Sequence, residues 1–288
     1  MIRTTALWTC LAAAAAIFAV PSARADQWDK TFPISGKADL RIDTNDGSIE
    51  LNSSDSREVH VRVTTTGWRI GSGDVEITRQ NQNGDRVEVE VRVPRMRWSF
   101  SFSGIHRDVR IEVTVPREAN LDLHSGDGHI TARNVNGQIR LDSGDGHITA
   151  EGLRGNMRIH TGDGHIEGSN LDGSLDADTS DGRMRLRGRF DLLRLRTGDG
   201  SITAEVQQGS KITADWNIRT GDGNITLRLP DGFSAELDAT TGDGTISSQL
   251  PVTVSGPLNR SSLRGRINAG GPPLTVRTGD GSIRIERI

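Results

Sequence analysis

Five aspartates, Asp127, Asp145, Asp163, Asp181 and Asp199, recur at intervals of 18 residues. Each stands in the phrase Ser/Thr, Gly (once Ser), Asp, Gly, then a variable residue and an aliphatic one. Three further copies, at Asp222, Asp243 and Asp280, follow at intervals of 23, 21 and 37. Carboxylates repeated in this way could form a calcium ladder, because hard cations prefer clustered oxygens. Stacked about 5 Å apart, such carboxylates repel by roughly 1 kcal/mol in water, so something must neutralise or hydrogen-bond them. The competing reading is an Asx-turn, in which each aspartate accepts hydrogen bonds from its own turn. The calcium-binding nonapeptide pattern places its aspartate every nine residues. Here the aspartate recurs every 18 and sits immediately between glycines, so the ligand pattern of a full shell is missing.

Two other sets of residues carry chemistry. His129, His147 and His165 follow three successive Gly-Asp-Gly turns and form a row that could attract zinc or another transition metal. Ligands spaced along a flat sheet do not converge tetrahedrally, and later copies carry Arg183, Ser201 and Asn224 instead. Arg183, Arg185, Arg187, Arg189, Arg194 and Arg196 form a basic belt suited to an anionic polymer such as lipopolysaccharide or an acidic glycan. Glu167, Asp176 and Glu205 are placed to neutralise part of it. Trp98, Phe100 and Phe102 alternate, which aims all three at one face, as a cap over core or as a partner-binding strip. Threonines at 131, 149, 203 and 226 hint at an ice-binding ladder, but Glu167 and Arg185 interrupt that column. No nucleophile elbow, phosphate loop, zinc-hydrolase signature or Cys/His pair occurs.

A fixed short period is the mark of a stacked fold, and it dictates how these residues are positioned. A nine-residue grid of glycines (Gly128, Gly137, Gly146, Gly155, Gly164, Gly173, Gly182, Gly200, Gly209) divides each unit into two strands and two turns. Glycine is expected there to supply the positive φ of a turn. Leu123, Leu141, Ile159, Ala177 and Leu195 form one inward column. Ile130, Ile148, Ile166, Met184 and Ile202 form another, continued by Ile225, Ile246 and Ile283. An antiparallel meander with Asp-Gly hairpins is the alternative. Opposite charges at an offset of 18, such as Arg133 with Glu151, Glu167 with Arg185 and Arg187 with Glu205, favour coils stacked in register. The expected fold is therefore all-β, a β-solenoid (parallel β-helix or β-roll) with about 18 residues per coil.

The expected organisation is a signal peptide at 1–25, an N-terminal β-strand region at 26–119 that begins the solenoid, and the repeat solenoid at 120–288. Strand-like alternation fills the N-terminal region, as in Val59, Val61, Val63 and again in Val87, Val89, Val91, Val93. An irregular coil is expected at 249–275, with Ser262 to Ile267 as a degraded copy of the unit. The last copy, ending at Ile288, is expected to be the terminal coil, with Arg284, Glu286 and Arg287 softening its edge.

The signal reading rests on Arg3, the apolar stretch Leu11 to Val20 and the cleavage pattern Ala23-Arg24-Ala25. It implies export to the periplasm, the cell surface or beyond, and no later segment is apolar enough to span a bilayer as a helix. The single cysteine, Cys10, lies inside the signal, so no disulfide holds the mature chain. Removing Arg3 and Arg24 leaves 33 basic against 38 acidic residues, a net charge of −5 that argues against a nucleic-acid binder.

The repeated Thr-Gly-Asp-Gly-Ser-Ile units resemble a bacterial family of β-strand-repeat envelope proteins known as "putative adhesins", a domain of unknown function. The strand ending Val113-Thr114-Val115-Pro116 and the closing run from Gly270 to Ile283 share the likeness, which covers residues 38 to 288. The resemblance implies a β-solenoid at or outside the envelope and supplies no catalytic residues. The expected function is that of a non-enzymatic structural or adhesion-type binding module, needing no cofactor. Its partners would be an envelope component, a glycan or another protein. The alternatives are a polysaccharide-active β-helix enzyme, which needs a singular cleft, and a calcium-stabilised repeat protein.

Overall fold

The computed structural model describes residues 25–71, 73–94, 108–255 and 259–288. Most of the expected signal segment and the Trp98, Phe100, Phe102 strip lie outside these residues. Every regular element among them is a β-strand.

One coil shows how the 18-residue unit folds. Strand Asn136–Ser143 runs to the corner Gly144-Asp145-Gly146, and strand Ile148–Glu151 leaves it. A second bend at Gly152, in the left-handed region at φ 63°, then feeds strand Arg154–Thr161. Asn134 and Asn170 hold the same bend in the neighbouring coils, at φ 59° and 53°, a conformation asparagine tolerates better than most residues. Strand Asn136–Ser143 pairs in parallel with Arg154–Thr161, so Leu141 lies beside Ile159. Strand Ile148–Glu151 likewise pairs with Ile130–Arg133 and with Ile166–Thr179. Each coil thus gives one strand to a first sheet and one to a second. The parallel register rules out hairpins at the Asp-Gly corners. The fold is an all-β solenoid.

Alternation does the rest. Leu123, Leu141, Ile159, Ala177 and Leu195 are buried on the first sheet, and Ile130, Ile148, Ile166, Met184 and Ile202 on the second, in one shared core. Burying a side chain of this size contributes about 1.5–3 kcal/mol, and the ladder of backbone hydrogen bonds satisfies the polar groups that go in with it. Ile225 and Ile283 continue the second column fully buried, whereas Ile246 is only half-buried, because its strand lies at the edge.

Coil order departs from chain order at both ends. Strands Ala38–Thr44 and Ser48–Ser54 form the coil against Ala119–Ser125 and Ile130–Arg133. Strands Arg86–Arg92 and Asp108–Pro116 stack outside them. Antiparallel strands Glu76–Asn83, Glu58–Thr66 and Ala25–Pro33 then close that end. At the other end, Pro273–Thr278 and Ile283–Arg287 pair with Trp216–Arg219 and Ile225–Leu229 on one side. On their other side lie Ala235–Thr241 and Ile246–Ser248. The C-terminal coil is therefore internal, not terminal as its position in the chain suggested. Ser262–Ile267 is not a degraded coil either. It runs antiparallel to Ala235–Thr241 and carries Val252–Val254 outside it. Pairing chosen by register overrides chain order because loop closure costs little extra as loops lengthen.

Candidate functional site

The repeated corner is built by its hydroxyl. Thr197 Oγ1 donates to the carbonyl of Gly182 in the preceding coil (3.1 Å) and accepts from the N–H of Gly200 in its own turn (3.2 Å). Ser143 does the same with Gly128 and Gly146, both at 3.0 Å. Ser125, Ser143, Thr161, Thr179, Thr197, Thr220, Thr241 and Thr278 are all buried. A buried hydroxyl without partners would cost about 1–3 kcal/mol, so this column is a polar seam through the core wall. The glycine after each aspartate is required for closeness. A Cβ at Gly182 would lie 1.8 Å from the carbonyl oxygen of Gly164, and one at Gly164 would lie 2.1 Å from that of Gly146. Positive φ occurs instead at glycines of the other half-period, Gly155 and Gly173, and among the described corner glycines only at Gly47. The expectation that the corner glycines serve φ is thus corrected: they let one corner sit on the next.

Asp127, Asp145, Asp163, Asp181 and Asp199 point outward from these corners and are exposed. Their carboxylates form no hydrogen bond or ion pair with any described residue. The Asx-turn role expected of them belongs to the hydroxyl. Among the described residues no three His, Asp or Glu side chains converge so as to hold a metal ion. The column continues through Asp46, whose carboxyl is pushed above the usual range by burial, then by the charges of Asp127 and Asp108, against a lowering hydrogen bond from Gly47.

His129, His147 and His165 stack face to face, with ring centroids 5.0 and 4.8 Å apart. Each Nδ1 accepts the N–H of the residue above it: His147, His165 and Arg183 in turn, at 3.0, 3.0 and 3.1 Å. The row is a backbone clamp. Its parallel rings do not converge on one ion.

The basic belt wraps around its coil instead of forming one patch. Arg183 stands at the corner, exposed. On the second sheet, Arg185 pairs with Glu167 at 3.4 Å and Arg187 with Glu205 at 2.9 Å. Arg189, at the second bend, is held by Asp172 and by Asp191, which keep its guanidinium pKa raised. Arg194 and Arg196 project from the first sheet, and their guanidiniums form no ion pair with any described residue. The second sheet is neutralised further along by Arg133 with Glu151 (3.4 Å) and Arg228 with Glu286 (3.0 Å).

Both sheets carry shallow concave surface. On the second, a furrow of about 450 Å³ is lined by the paired Glu167, Arg185, Arg187, Glu205 and Arg228. The furrows of the first sheet hold arginines that form no ion pair with any described residue. One of about 580 Å³ is bordered on one side by Asn120, Gln138 and Asn156, and on the other by Arg140, Arg158 and Arg194. Beside it, a second furrow of about 460 Å³ is lined by Asp178, Arg194, Arg196, Asn217 and Arg219. Residues 37–286 match the family model described as Toastrack DUF4097.

The chain belongs to the Toastrack family.

Several solved structures are similar to this Toastrack chain. One is described as a "putative cell adhesion protein" from Clostridium sporogenes, at 12% identity over 92% of this chain and 100% of that one, with a TM-score of 0.33. Another is a "putative adhesin" from Bacteroides fragilis, at 11% identity over 91% and 97%, with a TM-score of 0.40. A third is a "putative lipid binding protein" from Parabacteroides distasonis, at 11% identity over 90% and 96%, with a TM-score of 0.28. No curated protein matches the chain.

Sequence reasoning about the Toastrack chain found the arginines but missed the furrows and Arg219. Arg219 lies 23 residues beyond Arg196, outside the 18-residue grid, yet the two are register partners. The interval of 23 between Asp199 and Asp222 was the available signal, because it shifts the whole following coil by five residues.

Proposed function

We propose that this chain is a non-enzymatic, exported binding module of the bacterial envelope, and that its first sheet is the binding face. The observation that carries the reading is the asymmetry between the sheets. On the second, Arg185 and Arg187 are neutralised by Glu167 and Glu205. On the first, Arg158, Arg194, Arg196 and Arg219 make no ion pair with any described residue and border concave surface. An arginine left free offers a planar fork of donors to carboxylate or phosphate. Contacts repeated from coil to coil are individually weak, and they add through effective concentration.

The carboxylates on this sheet support a binding role over hydrolysis. Asp122 pairs with Arg41 (3.6 Å) and Arg140 (3.9 Å), Asp142 with His124 (3.2 Å), and Asp178 with His160 (2.6 Å). These three are distributed as cross-coil partners of arginine or histidine. Asp176 alone among the furrow carboxylates has no such partner among the described residues. A glycosidase needs one acid and one base flanking a single bond. The reading is tested by exposing the purified mature chain to envelope fractions and a panel of acidic and neutral glycans, with cell fractionation in parallel. Binding to an anionic fraction that weakens with salt, by a protein found outside the cytoplasm, is the expected result. Retention in the cytoplasm, or turnover of a glycan, would overturn it.

A further inference from the structure

The two furrows on the first sheet differ in chemistry, and together they describe a ligand. In the first, Asn120, Gln138, Asn156 and Ser174 follow one another in successive coils. Gln138 pairs with Asn156 and Asn156 with Ser174 in parallel register, and the N–H of Gln138 donates to Asn120 Oδ1 at 3.1 Å. Gln138 and Asn156 are exposed. Amides both donate and accept, as sugar hydroxyls do. The same polar position recurs at the strand spacing of about 4.8 Å, which is close to the length of one pyranose ring in an extended chain.

In the second furrow three arginines, Arg194, Arg196 and Arg219, face two carboxylates, Asp176 and Asp178, so cationic charge is in excess. Arg196 and Arg219 are register partners in adjacent coils, so two like charges rise from backbones one strand spacing, about 4.8 Å, apart. The next arginine in that column, Arg277, is paired with Asp238 at 3.6 Å. Asp178, which borders the furrow, is already bonded to His160 at 2.6 Å. The Nε of Arg219 is buried and has no hydrogen-bond partner among the described residues. An orphaned donor in a cationic furrow is a group awaiting an acceptor. The two furrows share Asp176 and Arg194, so one ligand can reach both.

We propose that the furrows form a single site for an extended acidic glycan. Arg194, Arg196 and Arg219 hold a carboxylate or sulfate, and the column Asn120, Gln138, Asn156, Ser174 reads the hydroxyls of successive rings. This rests on the first sheet being the binding face. Other partners fit less well. An acyl chain needs open apolar lining. The apolar floor of the first furrow, Leu121, Ile139, Met157 and Leu175, is buried beneath the amide and arginine columns, leaving only Leu192 half-exposed. A peptide added as a strand needs a sheet edge, and these furrows cross the middle of a sheet.

The test is titration calorimetry of the full mature chain with oligogalacturonates of increasing length, alongside a sulfated and a neutral oligosaccharide series. Affinity should rise with length up to about six rings and then level, since the coils of Asn120, Gln138, Asn156, Ser174, Arg196 and Arg219 line the track at the strand spacing. Neutral chains should bind at least about tenfold more weakly. The uronate and sulfated arms show which anion the cradle prefers. Arg219→Gln should lower affinity about tenfold, and Gln138→Ala with Asn156→Ala should flatten the dependence on length. Melting curves confirm that the variants, all altered at outward-facing side chains, remain folded. Affinity independent of length, or unmoved by the Gln138 and Asn156 changes while Arg219→Gln still abolishes it, would overturn the track and leave the binding face standing. Failure of every acidic glycan while envelope fractions still bind would overturn the glycan assignment. Failure of both would overturn the binding face itself.

Discussion

Ile225 and Ile283 are direct partners in parallel register, although five strands lie between theirs in chain order. The coil that holds Ile283 lies between the coil of Ile225 and that of Ile246. The fold therefore closes only when the end of the chain is in place. Truncation after Ala269 would remove an internal layer and uncover Trp216, which is buried against Leu274. The truncated protein should lose cooperative melting in the region 216–267, read by circular dichroism and amide exchange. A melt unchanged from that of the intact chain would contradict the inserted coil.

The hydroxyl seam can be tested at one position. Thr197→Val keeps the shape and removes the donor to Gly182 and the acceptor for Gly200. It should cost about 1–3 kcal/mol, because buried backbone partners lose their bonds. Thr197→Ser should recover most of that, since Ser125 and Ser143 fill the same role in other coils. Urea unfolding of the three proteins distinguishes a seam from simple packing, in which serine would be the worse substitute.

Close approach makes a separate prediction for glycine. Gly182→Ala places its Cβ 1.8 Å from the Gly164 carbonyl oxygen, so two corners must part. The loss of stability should reach at least about 3 kcal/mol, the upper end for single substitutions. Gly232 has open space around a Cβ and no positive φ, so Gly232→Ala should change stability by no more than about 0.5 kcal/mol. Equal losses at both positions would show that the corner is not the constraint.

Two aspartates give stability contributions of opposite sign with pH. The carboxyl of Asp46 is raised by burial first, then by Asp127 and Asp108. A group raised in the folded state stabilises it fully below the unfolded value, and that contribution is lost as pH rises through the folded value. Asp46→Asn should therefore raise the melting temperature at neutral pH and give little gain at strongly acid pH. Asp29 is lowered, chiefly by its hydrogen bond with His60 and then by that with Arg62. Its contribution is present above the unfolded value and fades as pH falls through the lower folded one. Asp29→Asn should destabilise at neutral pH and become indistinguishable from wild type in strong acid. Melting temperatures measured across pH 2 to 7 (about the range over which carboxylates titrate) would expose a reversal of either sign.

The period carried most of the architecture. Identical positions 18 apart in sequence became register partners, and the inward columns of Leu123 and Ile130 were buried as alternation requires. What the period could not convey was partner choice at the ends, where Ile283 and Ile246 compete for the same edge and only tertiary packing decides. The corner chemistry was legible as a phrase and assigned to the wrong member, because the aspartate is the charged residue while the hydroxyl is the buried one. The arginine belt looked continuous along the chain, yet the bend near Arg189 sends Arg185 and Arg194 to opposite sheets. Furrows arise between columns, so they are invisible until coils are stacked.

The direct test of the binding face compares two double variants of the mature chain. Arg194→Gln with Arg196→Gln removes free charge from the first sheet, and Arg185→Gln with Arg187→Gln removes the same charge from the second. Binding of each to an anionic envelope fraction, measured over a range of salt, should show at least about a tenfold loss and a shallower salt dependence for the first pair only. Equal losses from both pairs, or loss from the second alone, would contradict the assignment of function to the first sheet.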